Sequence, residues 1–179
     1  MTMILYALTK DGYFSKKDNV DGKIDDLAWM RVTTDRRLFK QLTTLHNNQP
    51  IIAGYKTVDT LPKLPGRKII SISTCAQRGM LLRDALQRYP DGIVIGGASV
   101  IKSCIHFGHR DLINSILTVK LPLKLNPEED PENFFEDPLR ELKDNNVLRL
   151  DETFFIHTER FDHPTVQLEI WRPTYNGSN

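Results

Sequence analysis

Cysteine is scarce in this chain: Cys75 and Cys104 are the two among 179 residues. They cannot build a disulfide framework and lack metal-ligand spacing, so two buried thiols are expected. No charge of one sign prevails either. Twenty-four Lys and Arg stand against 23 Asp and Glu, for a net +1, so no broad basic field argues for nucleic acid. No apolar run approaches membrane-spanning length. The opening Met1-Thr2-Met3-Ile4-Leu5-Tyr6 reads as a strand with no basic segment ahead of it, which argues against a signal peptide. The five histidines (His46, His106, His109, His157, His163) show no ligand spacing, which disfavours metal-dependent chemistry. Neither G-x-G-x-x-G nor G-x-x-x-x-G-K-[ST] occurs, so the standard dinucleotide fingerprint and the P-loop are both excluded. There is no internal repeat and no low-complexity tract. What is present is a chain of ordinary single-domain length, 40% apolar, read as one domain over 1–179, soluble and cytoplasmic, with neither nucleic acid nor membrane as partner.

Short apolar strands alternate with helical stretches. Met3 to Leu8, Pro50 to Ala53 (ending at Gly54), Lys68 to Ser73, Gly92 to Ile95 (ending at Gly96-Gly97) and Ile113 to Val119 read as strands. Thr33 to Thr44, Met80 to Tyr89 and Ala98 to His106 read as helices, the second with Leu81, Leu82, Ala85 and Leu86 as its apolar stripe. This alternation predicts a mostly parallel sheet covered by helices. Phe154 to Arg160 and Thr165 to Arg172, around Asp162-His163-Pro164, read as a hairpin at the sheet edge. Lys10 to Asp26 reads as a loop and a candidate flap, and the acidic stretch Asn126 to Asp137 as a solvated surface segment.

One acid stands out. Asp35 follows Trp29 by six residues and precedes Phe39 by four, so on a helix Asp35 and Phe39 share a face. A carboxylate beside aromatic groups is costly to ionise unless a ligand compensates it, which suits gripping a polar heterocycle or handling a proton. The same position also suits a first-turn acid that complements the helix macrodipole.

Two strand-to-helix junctions suit phosphate. Gly54-Tyr55-Lys56-Thr57 and Gly96-Gly97-Ala98-Ser99 each leave free backbone N–H groups at a helix start, where glycine permits close approach. Two in one sheet could hold both ends of a pyrophosphate. In Leu61-Pro62-Lys63-Leu64-Pro65-Gly66-Arg67-Lys68, a Pro-Gly turn delivers Arg67, whose guanidinium could pair a carboxylate bidentately. A surface arginine after a turn is the alternative.

Taken in order, Gly22-Lys23, Asp26-Leu27-Ala28-Trp29, Asp35, Phe39, Gly54-Tyr55-Lys56-Thr57, Leu64-Pro65-Gly66-Arg67-Lys68, Ile93-Val94-Ile95-Gly96-Gly97-Ala98 and Leu117-Thr118 resemble dihydrofolate reductase over essentially the whole chain. The resemblance implies that family's fold: a central, mostly parallel sheet of about eight strands with a C-terminal antiparallel hairpin. It implies a monomer that transfers hydride from NADPH to dihydrofolate and supports one-carbon metabolism, with antifolates as inhibitors. Asp35 matches the family's acid, Trp29 the wall of its pocket and Thr118 the hydroxyl that bonds the acid. Tyr6, Ala7, Leu27, Phe39, Leu61, Leu64 and Ile95 match substrate contacts, and Arg67 the partner of the substrate's α-carboxylate. Ala7, Gly22, Lys56, Thr57, Ser73, Thr74, Gly96, Gly97, Ala98, Ser99 and Val100 match cofactor contacts. The family's Gly96–Gly97 bond is cis.

The resemblance has departures. Ala28 stands where the family has proline. Tyr55 and Ser99 stand where many members carry basic residues facing cofactor phosphates, which leaves NADPH over NADH open. Ile101 replaces a tyrosine beside the nicotinamide, Arg36 an apolar contact, and about seven extra residues lie between Tyr13 and Gly22. The pattern is that of a divergent member, as a viral or phage protein would be, then working in the host cytoplasm. Two other readings share the fold: a riboflavin-pathway pyrimidine reductase, which Lys10-Asp11-Gly12-Tyr13-Phe14-Ser15 faintly resembles but which needs no acid at Asp35, and a non-catalytic binding module.

Overall fold

Apolar strands of four to nine residues, buried on both faces near the centre, stack into one mixed sheet. The computed structural model describes residues 2–16, 32–44, 49–106, 108–124, 131–157 and 164–174. Its elements are β1 (Thr2–Leu8), β2 (Tyr13–Lys16), α1 (Thr33–Thr44), β3 (Ile51–Gly54), α2 (Tyr55–Thr60), β4 (Ile69–Ile72), α3 (Leu82–Arg88), β5 (Ile93–Gly96), α4 (Ala98–His106), β6 (Ile113–Lys120), β7 (Phe134–Glu136), α5 (Arg140–Asp144), β8 (Leu148–Ile156) and β9 (Val166–Pro173). The main sheet has seven strands in the order β4-β3-β5-β1-β6-β9-β8. Neighbours from β4 through β6 pair in parallel, and β9 runs antiparallel to both β6 and β8. The expected mostly parallel sheet with a C-terminal antiparallel hairpin is therefore present, with seven strands among the described residues. Ile4, Ile52, Val94 and Ile116 lie wholly buried along its middle.

Each face has its own core, and the period-two alternation of the strands decides who faces which. Leu5, Ile93, Leu117 and Val119 pack with Val32 and Leu38 on the α1 side. Ile4, Tyr6, Leu8, Ile116, Ile101, Leu86 and Leu142 pack on the other side, beneath α3, α4 and α5. Within α1 the helical period separates two stripes. Thr34, Leu38 and Thr43 are buried, while Asp35 and Phe39 are half-buried and fall at four-residue spacing with Thr43.

Four expectations need correction. Part of the predicted loop 10–26 is a strand: β2 pairs antiparallel with β7, which itself lies inside the predicted acidic segment 126–137. That segment's last residue, Asp137, is not solvated but 7% exposed in an ion pair with Lys143, because a lysine from α5 reaches it. The helix predicted from Met80 begins at Leu82, since Met80 bridges to Ile72; Leu81 is consequently 52% exposed rather than part of an apolar stripe. Cys104 is buried as expected, but Cys75 is exposed, for it sits in the turn that follows β4.

Candidate active site

The Asp35–Phe39–Thr43 stripe ends at Arg67. The Leu64–Arg67 turn (Arg67 N–H to Leu64 C=O, 3.2 Å) brings the guanidinium back onto α1. There Arg67 Nη1 donates to Thr43 Oγ1 at 3.0 Å, and its Cζ lies 6.0 Å from the Phe39 ring centre. Arg67 Nε is buried and has no hydrogen-bond partner among the described residues. A buried guanidinium N–H left open in this way is costly unless something fills it. The order along the helix is thus acid, aromatic ring, cation.

Asp35 itself is half-buried. Loss of water around its carboxyl pushes its pKa from 3.8 up to about 6, against the opposing pull of the neighbouring Arg36 guanidinium. Ala7 and Ile95, half-buried on the same side of the sheet, pack with Phe39 against the α1-side core. Leu61 and Leu64 are half-buried at the turn that carries Arg67.

Thr118 does not join this site. Alternation along β6 sends it to the opposite face, where its Oγ1 accepts from Lys143 Nζ at 3.3 Å. The Tyr6 side chain turns the same way, donating to Asp137 Oδ1 at 2.8 Å. Asp137 also accepts from Lys143 Nζ at 2.7 Å, and Lys143 lies 4.8 Å from the Trp171 ring centre. Desolvation drives the Lys143 pKa down, with Asp137 opposing. Desolvation and Asp137 together drive the Tyr6 hydroxyl up. The expectation that Thr118 holds Asp35 is therefore corrected: at β1–β6 register Tyr6↔Thr118, both side chains serve a buried polar knot beneath the sheet. Nothing local in the sequence signals that knot, because its members come from β1, β6, β9, α5 and the residue after β7.

The two glycine junctions meet. A Cβ on Gly97 would lie 3.2 Å from Thr57 Oγ1, and one on Gly54 would lie 3.2 Å from Val100 Cγ2 and 3.6 Å from the Gly97 nitrogen. A side chain at either position would crowd this backbone cradle. Gly96 has φ +141°, where side-chain-bearing residues are disfavoured, and its bond to Gly97 is cis as the resemblance implies. Thr57 and Val100 face the cradle; Lys56 is exposed beside it. Ala98 and Ser99 instead line a cleft of about 670 Å³ on the side towards α5, which also touches Lys102, Asp137 and Arg140. That cleft does not include Asp35. Ser73, just past β4, is buried with its Oγ accepting from the Cys75 N–H at 3.0 Å, and Thr74 is exposed. Trp29, Leu27 and Gly22 lie outside the described residues. Among the described residues no group of His, Cys, Asp and Glu could hold a metal ion, and no helix is long and apolar enough to cross a membrane.

This arrangement of sheet and helices is the dihydrofolate-reductase-like fold. Dihydrofolate reductase from Enterococcus faecalis, solved in complex with NADP(H) and RAB-propyl, superposes with a TM-score of 0.67 over 98% of this chain and 97% of that one, at 18% identity. No protein-family model matches the sequence, and no curated protein matches it.

Proposed function

We propose that the chain is an NADPH-dependent dihydrofolate reductase. The observation that carries this reading is the α1 stripe: one half-buried acid with its pKa raised to about 6 at one end and, across an aromatic ring, a guanidinium whose buried Nε has no hydrogen-bond partner among the described residues at the other. A pterin offers an amidine-like edge of N–H donors to a carboxylate. Its benzoyl-glutamate tail offers a ring for Phe39, with Leu61 and Leu64 beside it, and a carboxylate for Arg67.

Asp35 anchors the substrate ring and moves a proton. With a pKa near 6 it changes charge close to neutral pH, so it can hold a proton on the bound ring's side and favour protonation of the imine nitrogen. Arg67 fixes the far carboxylate and so sets how deep the ring lies. Ala7 and Ile95, at the C-terminal ends of β1 and β5, form the floor between substrate and cofactor.

NADPH, when bound, supplies the hydride. The residues present fit it: the Gly54–Gly97 cradle admits backbone-close phosphate, Thr57 offers a hydroxyl and Lys56 a cation. Ser73 and Thr74, at the end of the outermost strand, lie where an extended dinucleotide that starts over β1 would finish. β4 is three strands from β1, about 14 Å at ordinary strand spacing.

The test is loss of nicotinamide absorbance on adding dihydrofolate to protein and NADPH. Dihydrofolate-dependent oxidation is expected; none from well-folded protein would remove the reading. A pyrimidine reductase of the same fold would instead act on a ribosyl-phosphate substrate and tolerate Asp35→Asn.

A further inference from the structure

The two edges of the main sheet are finished differently. β4, at one edge, is four residues long, and Met80 bridges to Ile72 at its end. β8, at the other, is nine residues long, the longest strand among the described residues, and in the sheet it pairs with β9 alone. An unpaired edge presents a row of N–H and C=O groups to any other strand, so natural edges are kept short, charged, bulged or covered. The first half of β8 follows that rule: its register breaks between Leu150 and Glu152, where Arg149, Asp151 and Glu152 stand. The second half does not. Thr153-Phe154-Phe155-Ile156 carries no charge and no proline, and its pairing with β9 is unbroken.

Apolar exposure falls on the same strand. Phe155 is 64% exposed, and Phe154 and Leu150 are each 43% exposed. Phe154 sits opposite Leu168 and Phe155 opposite Gln167, so the two rings point to opposite faces of the sheet. A strand added at this edge would cover both rings at once and satisfy the backbone between them.

We propose that the β8 edge pairs with the same edge of a second copy, antiparallel about a two-fold axis at Phe154, joining two sheets into one. Such an axis, normal to the sheet, sets each residue opposite one of its own parity, so few centres are available. Centring on Glu152 would put two carboxylates face to face. Centring on Thr153 would set Arg149 against the partner's His157, and centring on Phe155 would carry Glu152 past the end of the partner strand. Centring on Phe154 lays Phe154 on the partner's Phe154 and Phe155 beside the partner's Thr153. It places Glu152 by the partner's Ile156 and Asp151 by the partner's His157, and it opposes no like charges. The edge is thus complementary to itself in charge and in apolar surface, which favours a second copy over a foreign strand. The resemblance implies a monomer, and this edge departs from it. β8 lies three strands from β1, so the pairing does not call on the proposed reductase site.

One strand and two rings per copy make a small interface, below the roughly 1,200 Å² of standard ones, so a dissociation constant on the order of 10 µM is expected. Sedimentation velocity over a concentration series on either side of that value should show monomer and dimer in equilibrium. Phe155→Lys places a charge on the open half, as natural edges do, and should weaken the dimer at least about tenfold with melting temperature kept. Leu81→Lys, at an apolar residue 52% exposed elsewhere, should leave the dimer unchanged. Cross-linking reads the register and stands even if Phe155→Lys does not fold. In a Cys75→Ser background, which removes the exposed thiol, Phe154→Cys should form a disulfide-linked dimer on mild oxidation, because residues opposed at the axis lie within disulfide reach. Leu150→Cys should not. A monomer at every concentration, a dimer that Phe155→Lys leaves intact, or one that cross-links through Leu150→Cys and not Phe154→Cys overturns the proposal.

Discussion

Asp35 carries a cost that its proposed role explains. An acid whose pKa rises from 3.8 when unfolded to about 6 when folded binds its proton more tightly in the native state. Its contribution to stability is therefore greatest below pH 4 and falls as pH rises through 6, by at most about 3 kcal/mol at neutral pH and less because the group is part exposed. Asp35→Asn should accordingly be more stable than wild type at pH 7 by about 1–3 kcal/mol, and the advantage should vanish near pH 4. Thermal unfolding at the two pH values measures this directly; an equal difference at both would mean that Asp35 is not desolvated. The same variant should lose about 10²–10⁴-fold in turnover. At the other end of the stripe, Arg67→Leu should weaken dihydrofolate far more than a folate analogue lacking the glutamate. Equal losses for both would contradict the carboxylate contact. Much of this stripe was legible beforehand: the spacing of Asp35 and Phe39 on a helix needs only the 3.6-residue period, and Pro65-Gly66 announces the turn before Arg67. The contact of Arg67 with Thr43 was not legible, since it depends on where two separate segments cross.

At the scale of elements, local chemistry located the helices and strands well wherever it could act alone. Thr33–Thr44 and Ala98–His106 fall at their expected bounds because an amphipathic period defines them without help. β2 and β7 were missed because each is short, four and three residues, and each pairs only with the other. Thr118 was assigned to the wrong face for a related reason. Motif order says which strand a residue occupies, but alternation against a partner strand says which way it points. The glycine junctions show what element ends can do that single residues cannot. Gly97→Ala should leave the fold intact, because Thr57 can rotate from a Cβ 3.2 Å away, yet it should weaken NADPH by about tenfold or more by closing the cradle and removing the hydroxyl. Cofactor affinity and melting temperature, measured together, check this; a large fall in melting temperature with affinity kept would show that the glycine serves packing instead.

For the whole molecule, the two faces of the sheet have divided the work. The α1 face holds the acid, the ring and the cation of the proposed site. The opposite face holds the knot of Tyr6, Asp137, Lys143 and Thr118, with Lys143 9% and Asp137 7% exposed. Beside it Glu169, 3% exposed, accepts from Trp171 Nε1 at 3.1 Å and pairs with Lys120 at 2.6 Å. Buried pairs of this kind fix which segments meet more than they add stability, but breaking one leaves a bare charge. Asp137→Ala or Lys143→Met alone should therefore cost about 3–5 kcal/mol, while the double variant should recover much of that loss. Denaturant unfolding of the three variants closes the cycle, and additive losses would show that the two residues do not act as a pair. No reading of composition or period could have found this knot, because it joins residues up to 137 positions apart.

The central claim is that Asp35 is the acid through which a dihydrofolate reductase works. The most direct measurement is the pH dependence of dihydrofolate-dependent NADPH oxidation for wild type and Asp35→Asn. The expected result is a wild-type rate that falls as pH rises through about 6, and a variant that is slower by orders of magnitude and lacks that break. A variant with the same profile and rate as wild type, or a folded wild type that oxidises no NADPH with dihydrofolate, would contradict it.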